Sequence, residues 1–124
     1  MAIRPDRDSE LSSSETWSWT SEMGVLRLEA QRAGATLLLG IYGELDTTTA
    51  PHLRTQTDTL LAQASCDDLI ISCEGLTFID SSGLSTFATI RAECRETDIR
   101  VHLVDRSEFL DQLLDITGLG SLFG

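Results

Sequence analysis

From Val25 the chain alternates apolar and polar residues: Leu26, Leu28 and Ala30 against Arg27 and Glu29, the period of a half-buried strand. A hairpin-like loop over residues 31–34 leads into residues 36–42, which are almost wholly apolar, so this segment is read as a central strand covered on both faces and ending at Gly43. Leu53, Thr57, Leu60, Leu61 and Ala64 then recur at helical spacing behind Pro51, with residues 47–49 placed to cap. Residues 68–73, with Leu69, Ile70 and Ile71 contiguous, predict a second buried strand reached by a crossover and therefore parallel to the first.

A further helix opens at Asp80-Ser81-Ser82-Gly83, with Leu84, Phe87, Ala88 and Cys94 inward. Ile99, Val101 and Leu103 alternate with Arg100 and His102 as a strand. The last helix, with Phe109, Leu110, Leu113 and Leu114 on one face, is capped either by Asp105 with Glu108 or by Ser107, and stops at Gly118. The expectation is an α/β domain, helices packed against a mixed sheet, over residues 23–124. Residues 1–22, with Ser12-Ser13-Ser14, scattered acids and few apolar side chains, read as a flexible tail. Trp17 and Trp19 are its oddity, two rings on one side of an extended segment that favour burial.

Composition narrows the function classes. The 124 residues suit one core, and no apolar run approaches the ~18 residues of a membrane span. Twenty acids against nine basic residues, all arginine, give a net charge of −11, which disfavours direct binding to nucleic acid or to anionic membrane. No secretory signal pattern opens the chain, so a cytoplasmic address is expected. Cys66, Cys73 and Cys94 fit neither a disulfide framework nor a paired metal site, and reduced thiols are expected, with Cys73 as apolar filler rather than a redox switch. Neither metal nor other cofactor is implied.

Two polar loops follow predicted parallel strands, where sites in open α/β sheets form. One is Gly43-Glu44-Leu45-Asp46-Thr47-Thr48, the other Phe78-Ile79-Asp80-Ser81-Ser82-Gly83. In the second, hydroxyls stand at a helix start, where free N–H groups and the dipole favour an anion. Gly83 leaves a partner's approach to that turn unobstructed. The bland alternative makes Ser81 or Ser82 a helix cap and Asp80 a dipole-complementing acid.

Gly43-Glu44-Leu45-Asp46, with Thr49-Ala50 beyond, and Leu76-Thr77-Phe78-Ile79-Asp80-Ser81-Ser82-Gly83-Leu84 together resemble the two signature segments of the sulfate transporter and anti-sigma factor antagonist (STAS) family. The similarity runs over residues 23–123, and Ile116-Thr117-Gly118-Leu119 resembles the end of the family's third helix. The resemblance implies an anti-sigma factor antagonist. Ser81 would be phosphorylated by an anti-sigma factor that is also a kinase, and a serine phosphatase would reset the switch. Asp46, Thr47, Asp80, Ser82 and Gly83 would form the partner-binding surface. The unphosphorylated form would hold the anti-sigma factor and free the sigma factor.

Other readings fare worse on the residues. A serine hydrolase lacks the G-x-S-x-G elbow, and His52 and His102 read as surface residues, so no catalytic residue is assigned. A phospho-aspartate receiver needs a lysine that this chain does not contain, and no phosphate-cradling glycine motif is present. The remaining rival is a non-switching scaffold of the same family. Family members usually add a strand and a closing helix beyond the point matching Phe123. Their lack here predicts exposed apolar surface, with homodimerisation, lower stability or substitution by another segment as the consequence, Trp17 and Trp19 folding back being the expected cover.

Overall fold

The structure is a computed structural model and describes residues 16–123. Five strands form one sheet in the order β1-β2-β3-β4-β5: β1 Thr16–Thr20, β2 Leu26–Ala33, β3 Thr36–Leu45, β4 Asp68–Ile79 and β5 Arg100–Val104. The first three pair antiparallel and the last three parallel. The helices are α1 Ala50–Gln63, α2 Ser81–Glu96 and α3 Glu108–Thr117, followed by a short 3-10 turn, Gly120–Leu122. Both parallel connections run through a helix, as the sequence predicts.

The alternation in the sequence becomes one buried face. Leu28, Ile41, Leu39, Ile71 and Leu103 occupy paired register positions across β2 to β5, and all are buried against Leu53, Leu60, Phe87 and Ile90 of α1 and α2. The expectation that the central strand is covered on both faces is corrected. Leu38 is 38% exposed, and Tyr42 is half-buried beneath the Arg27 guanidinium, 4.1 Å from the ring centroid. Among the described residues that face of β3 carries aliphatic and aromatic side chains left partly exposed, so a continuous apolar run did not require two covering layers here.

The predicted tail is also shorter than 22 residues. Trp17 pairs with Ala30 and is 3% exposed, and Trp19 pairs with Leu28 and lies 5.5 Å from the His52 ring on α1. Residues 16–20 are therefore an edge strand, held by two indoles that reach the helix-covered face. They stand at the opposite edge of the sheet from β5 and do not fold back over the C-terminal end, which is tied to α2 by Arg91 Nε donating to the Leu122 carbonyl at 2.8 Å. The serine run of residues 12–14 lies outside the described residues.

Local corrections have simple causes. The hairpin turn is only Gly34-Ala35, and β4 extends to Ile79 instead of stopping at Cys73. Ser107 caps α3, its Oγ accepting from Leu110 N–H at 3.0 Å, and Gly118 ends that helix at φ 75° as predicted. Phe109, expected inward, is 57% exposed, while Leu110 and Leu114 are buried.

Gly43 has φ 105°, and a Cβ there would stand 2.0 Å from the Val25 carbonyl oxygen. Gly43→Ala is therefore expected to cost at least about 2 kcal/mol, measured as a lower midpoint in urea unfolding followed by tryptophan fluorescence.

Candidate functional site

β3 and β4 finish together. Leu45 pairs with Ile79, both are buried, and Asp80 N–H donates to the Leu45 carbonyl at 3.3 Å. The two loops singled out in the sequence thus leave the sheet side by side, and Thr47 Oγ1 meets Ser82 Oγ at 3.1 Å across them.

Each loop is organised by its aspartate. Asp46 Oδ1 accepts from Thr48 N–H at 2.9 Å and Thr49 N–H at 3.0 Å ahead of α1. The Thr49 hydroxyl is not a cap for the helix; it donates to the Glu44 carbonyl at 2.8 Å. The Thr49 N–H bond above all holds the Asp46 carboxyl below its ordinary range, so it remains an anion. Asp80 is the N-cap of α2, accepting from Ser82 N–H at 2.9 Å and Gly83 N–H at 3.2 Å. This decides the capping question. Neither serine caps the helix.

The two serines are not equivalent. Ser82 is half-buried and committed to Thr47, whereas Ser81 is exposed at the first position of α2 with no hydrogen bond from its hydroxyl to any described residue. Gly83, expected on the partner surface, is buried. A Cβ there would lie 2.7 Å from Ile79 Cγ1 and 2.9 Å from the Leu45 carbonyl oxygen, so this glycine lets α2 start directly on the strand ends. Asp46, Thr47, Asp80, Ser81 and Ser82 are brought together, and Gly83 supports them from below.

A groove of about 420 Å³ runs from this point between α1 and α2, lined by Thr47, Pro51 and Arg54 on one side and Ser81, Ser82, Ser85 and Thr89 on the other. Sequence reading missed this extension. Its signal was the i, i+4, i+8 spacing of Ser81, Ser85 and Thr89, which puts three hydroxyls on one helix face.

Neither histidine serves the serines. His52 packs on Trp19, and His102 Nε2 lies 3.0 Å from Asp68 Oδ1 at the start of β4, about 36 Å of strand from Ile79. Among the described residues no His, Cys, Asp and Glu group is placed to hold a metal ion, and no helix is long and apolar enough to cross a membrane.

Residues 27–124 match the model of the STAS domain, and the chain belongs to that family. It is 28% identical over 94 residues to an anti-sigma F factor antagonist of Paenibacillus polymyxa, covering 76% of this chain and 80% of that one. It is 30% identical over 82 residues to an anti-sigma-B factor antagonist of Staphylococcus aureus, covering 66% and 75%. Among solved structures, the anti-sigma factor antagonist SpoIIAA in its unphosphorylated form superposes with a TM-score of 0.67 at 23% identity, over 78% of this chain and 85% of that one. The phosphorylated form of SpoIIAA from Bacillus gives 0.62 at 23% identity, over 78% and 88%. These relatives are regulatory binding proteins, not enzymes.

Two predictions follow from the geometry. Asp80→Ala removes the cap and should cost about 1 kcal/mol, whereas Ser81→Ala should stay within about 0.5 kcal/mol, both read from urea midpoints. Burial pushes the Cys73 thiol up to about 12 and the Cys94 thiol up to about 11. Alkylation of the native protein at pH 8 should therefore label half-buried Cys66 at least about tenfold faster than either, with mass spectrometry locating the adducts.

Proposed function

We propose that this chain is an anti-sigma factor antagonist that acts by partner switching. Unphosphorylated, it binds an anti-sigma factor with serine kinase activity, and the sigma factor is released. Phosphorylation of Ser81 ends that binding, and a serine phosphatase restores it.

One observation carries the reading. Asp46, Asp80, Thr47 and Ser82 are engaged in holding the two loops, while at the head of α2, directly after the cap Asp80, Ser81 presents an exposed hydroxyl with no hydrogen bond to any described residue. The names and structures of the relatives support the same reading. In the transfer step, Ser81 Oγ bonds to the γ-phosphorus of ATP held by the kinase. The bond from that phosphorus to the ADP oxygen breaks, and the hydroxyl proton passes to a base of the kinase.

The product carries nearly two negative charges at pH 7 beside Asp46 and Asp80. Charge of that sign and bulk in the middle of an interface lowers affinity steeply, since each ~1.4 kcal/mol is tenfold. Binding to candidate anti-sigma factors should survive Ser81→Ala within about threefold and weaken at least about tenfold with Ser81→Asp. With ATP, phosphopeptide mapping should find the group on Ser81 and none in Ser81→Ala. Equal affinity of wild type, Ser81→Ala and Ser81→Asp would overturn the switch.

A further inference from the structure

We infer that Arg54 is the phosphate's counter-cation, a positioning residue that exchanges Glu93 for phosphorylated Ser81. The inference rests on the proposed phosphorylation of Ser81. It adds an intramolecular response that the partner need not supply.

Among the side chains lining the α1–α2 groove, Arg54 is the charged one, and Ser81 lines the same groove. Arg54 is at present engaged elsewhere along α2. Its Nη2 and Nε pair with the Glu93 carboxylate, which lowers the Glu93 pKa and raises that of Arg54. The Thr47–Ser82 contact sets the loop ahead of α1 level with the first turn of α2. Arg54 lies four residues into α1, about 6 Å of rise, while Glu93 lies twelve residues into α2, about 18 Å. The arginine backbone thus lies between the level of Ser81 and that of its present partner, along the groove that Ser81 lines. Long side chains on a helix also lean towards its N-terminus, which here is the Ser81 end.

The energetics favour exchange. Both members of the present pair are well exposed, with side-chain accessibilities of 50% and 38%, and an exposed carboxylate pair contributes little. A guanidinium on a dianionic phosphate makes two parallel charge-assisted hydrogen bonds. The charges of the two loops, Glu44, Asp46 and Asp80, are all negative, and the last two are held by backbone N–H groups, so they increase the phosphate's demand for a cation. Arg54 turned to Ser81 would lie across Ser82 and Ser85 and close the groove that the unphosphorylated protein leaves open.

The test installs phosphoserine genetically at position 81, which makes the result independent of any kinase. The second pKa of that phosphate, about 6 for a free group, is followed by phosphorus NMR in wild type, Arg54→Gln, Glu93→Gln and the double variant. Arg54→Gln should raise it by roughly 0.5 to 1 unit. Glu93→Gln should lower it with Arg54 present, and clearly less in the Arg54→Gln background. An unchanged pKa in Arg54→Gln, or an equal effect of Glu93→Gln in both backgrounds, overturns the role of Arg54. Failure of a kinase to modify Ser81 would instead count against the proposed function, and the two failures are read in separate experiments.

Discussion

The site depends on β3 and β4 ending in register. Leu45 and Ile79 are fully or nearly fully buried at the last paired position, and burial of such side chains stabilises by about 1.5–3 kcal/mol each. Strand ends usually fray; these are anchored. The Asp80 N–H to Leu45 carbonyl bond then joins the two exits, and the absent side chain of Gly83 lets the first turn of α2 rest on Leu45. Without that contact the α2 start would sit further from the sheet, and Ser82 could not meet Thr47.

Above this anchor the polar groups divide the work. Asp46 takes the N–H groups of Thr48 and Thr49 in the loop ahead of α1, and Asp80 those of Ser82 and Gly83 in the first turn of α2, a job that serine or threonine could do with a neutral hydroxyl. Using carboxylates has two consequences. The Ser81 hydroxyl is left free, and the N–H groups of Ser82 and Gly83 that could cradle a phosphate are already occupied. From the helix start itself, a phosphate on Ser81 would therefore gain only the residual dipole attraction, ~0.3–1 kcal/mol, and any stronger partner would have to come from the groove, where Arg54 stands.

Much of this was legible in the residues. Period-2 alternation places β2 and β5, helical spacing places all three helices, and the two loops with their aspartates and serines, read from the sequence as neighbours, meet through Thr47 and Ser82. The failures share a cause: they concern side-chain direction, which a one-dimensional pattern reports weakly. Leu38 and Tyr42 belong to a strand whose apolar run says nothing about whether a second layer covers it. Trp17 and Trp19 sat among polar residues, and only pairing with β2 gave them a strand and a core to enter. Gly83 reads equally as an open approach or as a close contact below, and the 2.9 Å gap to the Leu45 carbonyl decides it. The groove beyond Ser81 needed the placement of α1 beside α2.

The distribution of charge shows where the proposed switch would act most strongly. The chain carries −11 overall, yet residues 50–57 of α1 and 81–92 of α2 contain no acid. The helix halves flanking the groove are thus a low-charge strip on an acidic surface, the composition found at the centre of protein interfaces, where charged residues are depleted. Elsewhere on this surface two more negative charges would be a small increment to a field already negative and screened within about 8–10 Å. On the strip they would be the dominant local charge. A partner selected for a nearly neutral, hydroxyl-lined groove would meet a dianion at its mouth, so one covalent change alters the part of the surface where the rest of the molecule's charge had been kept away.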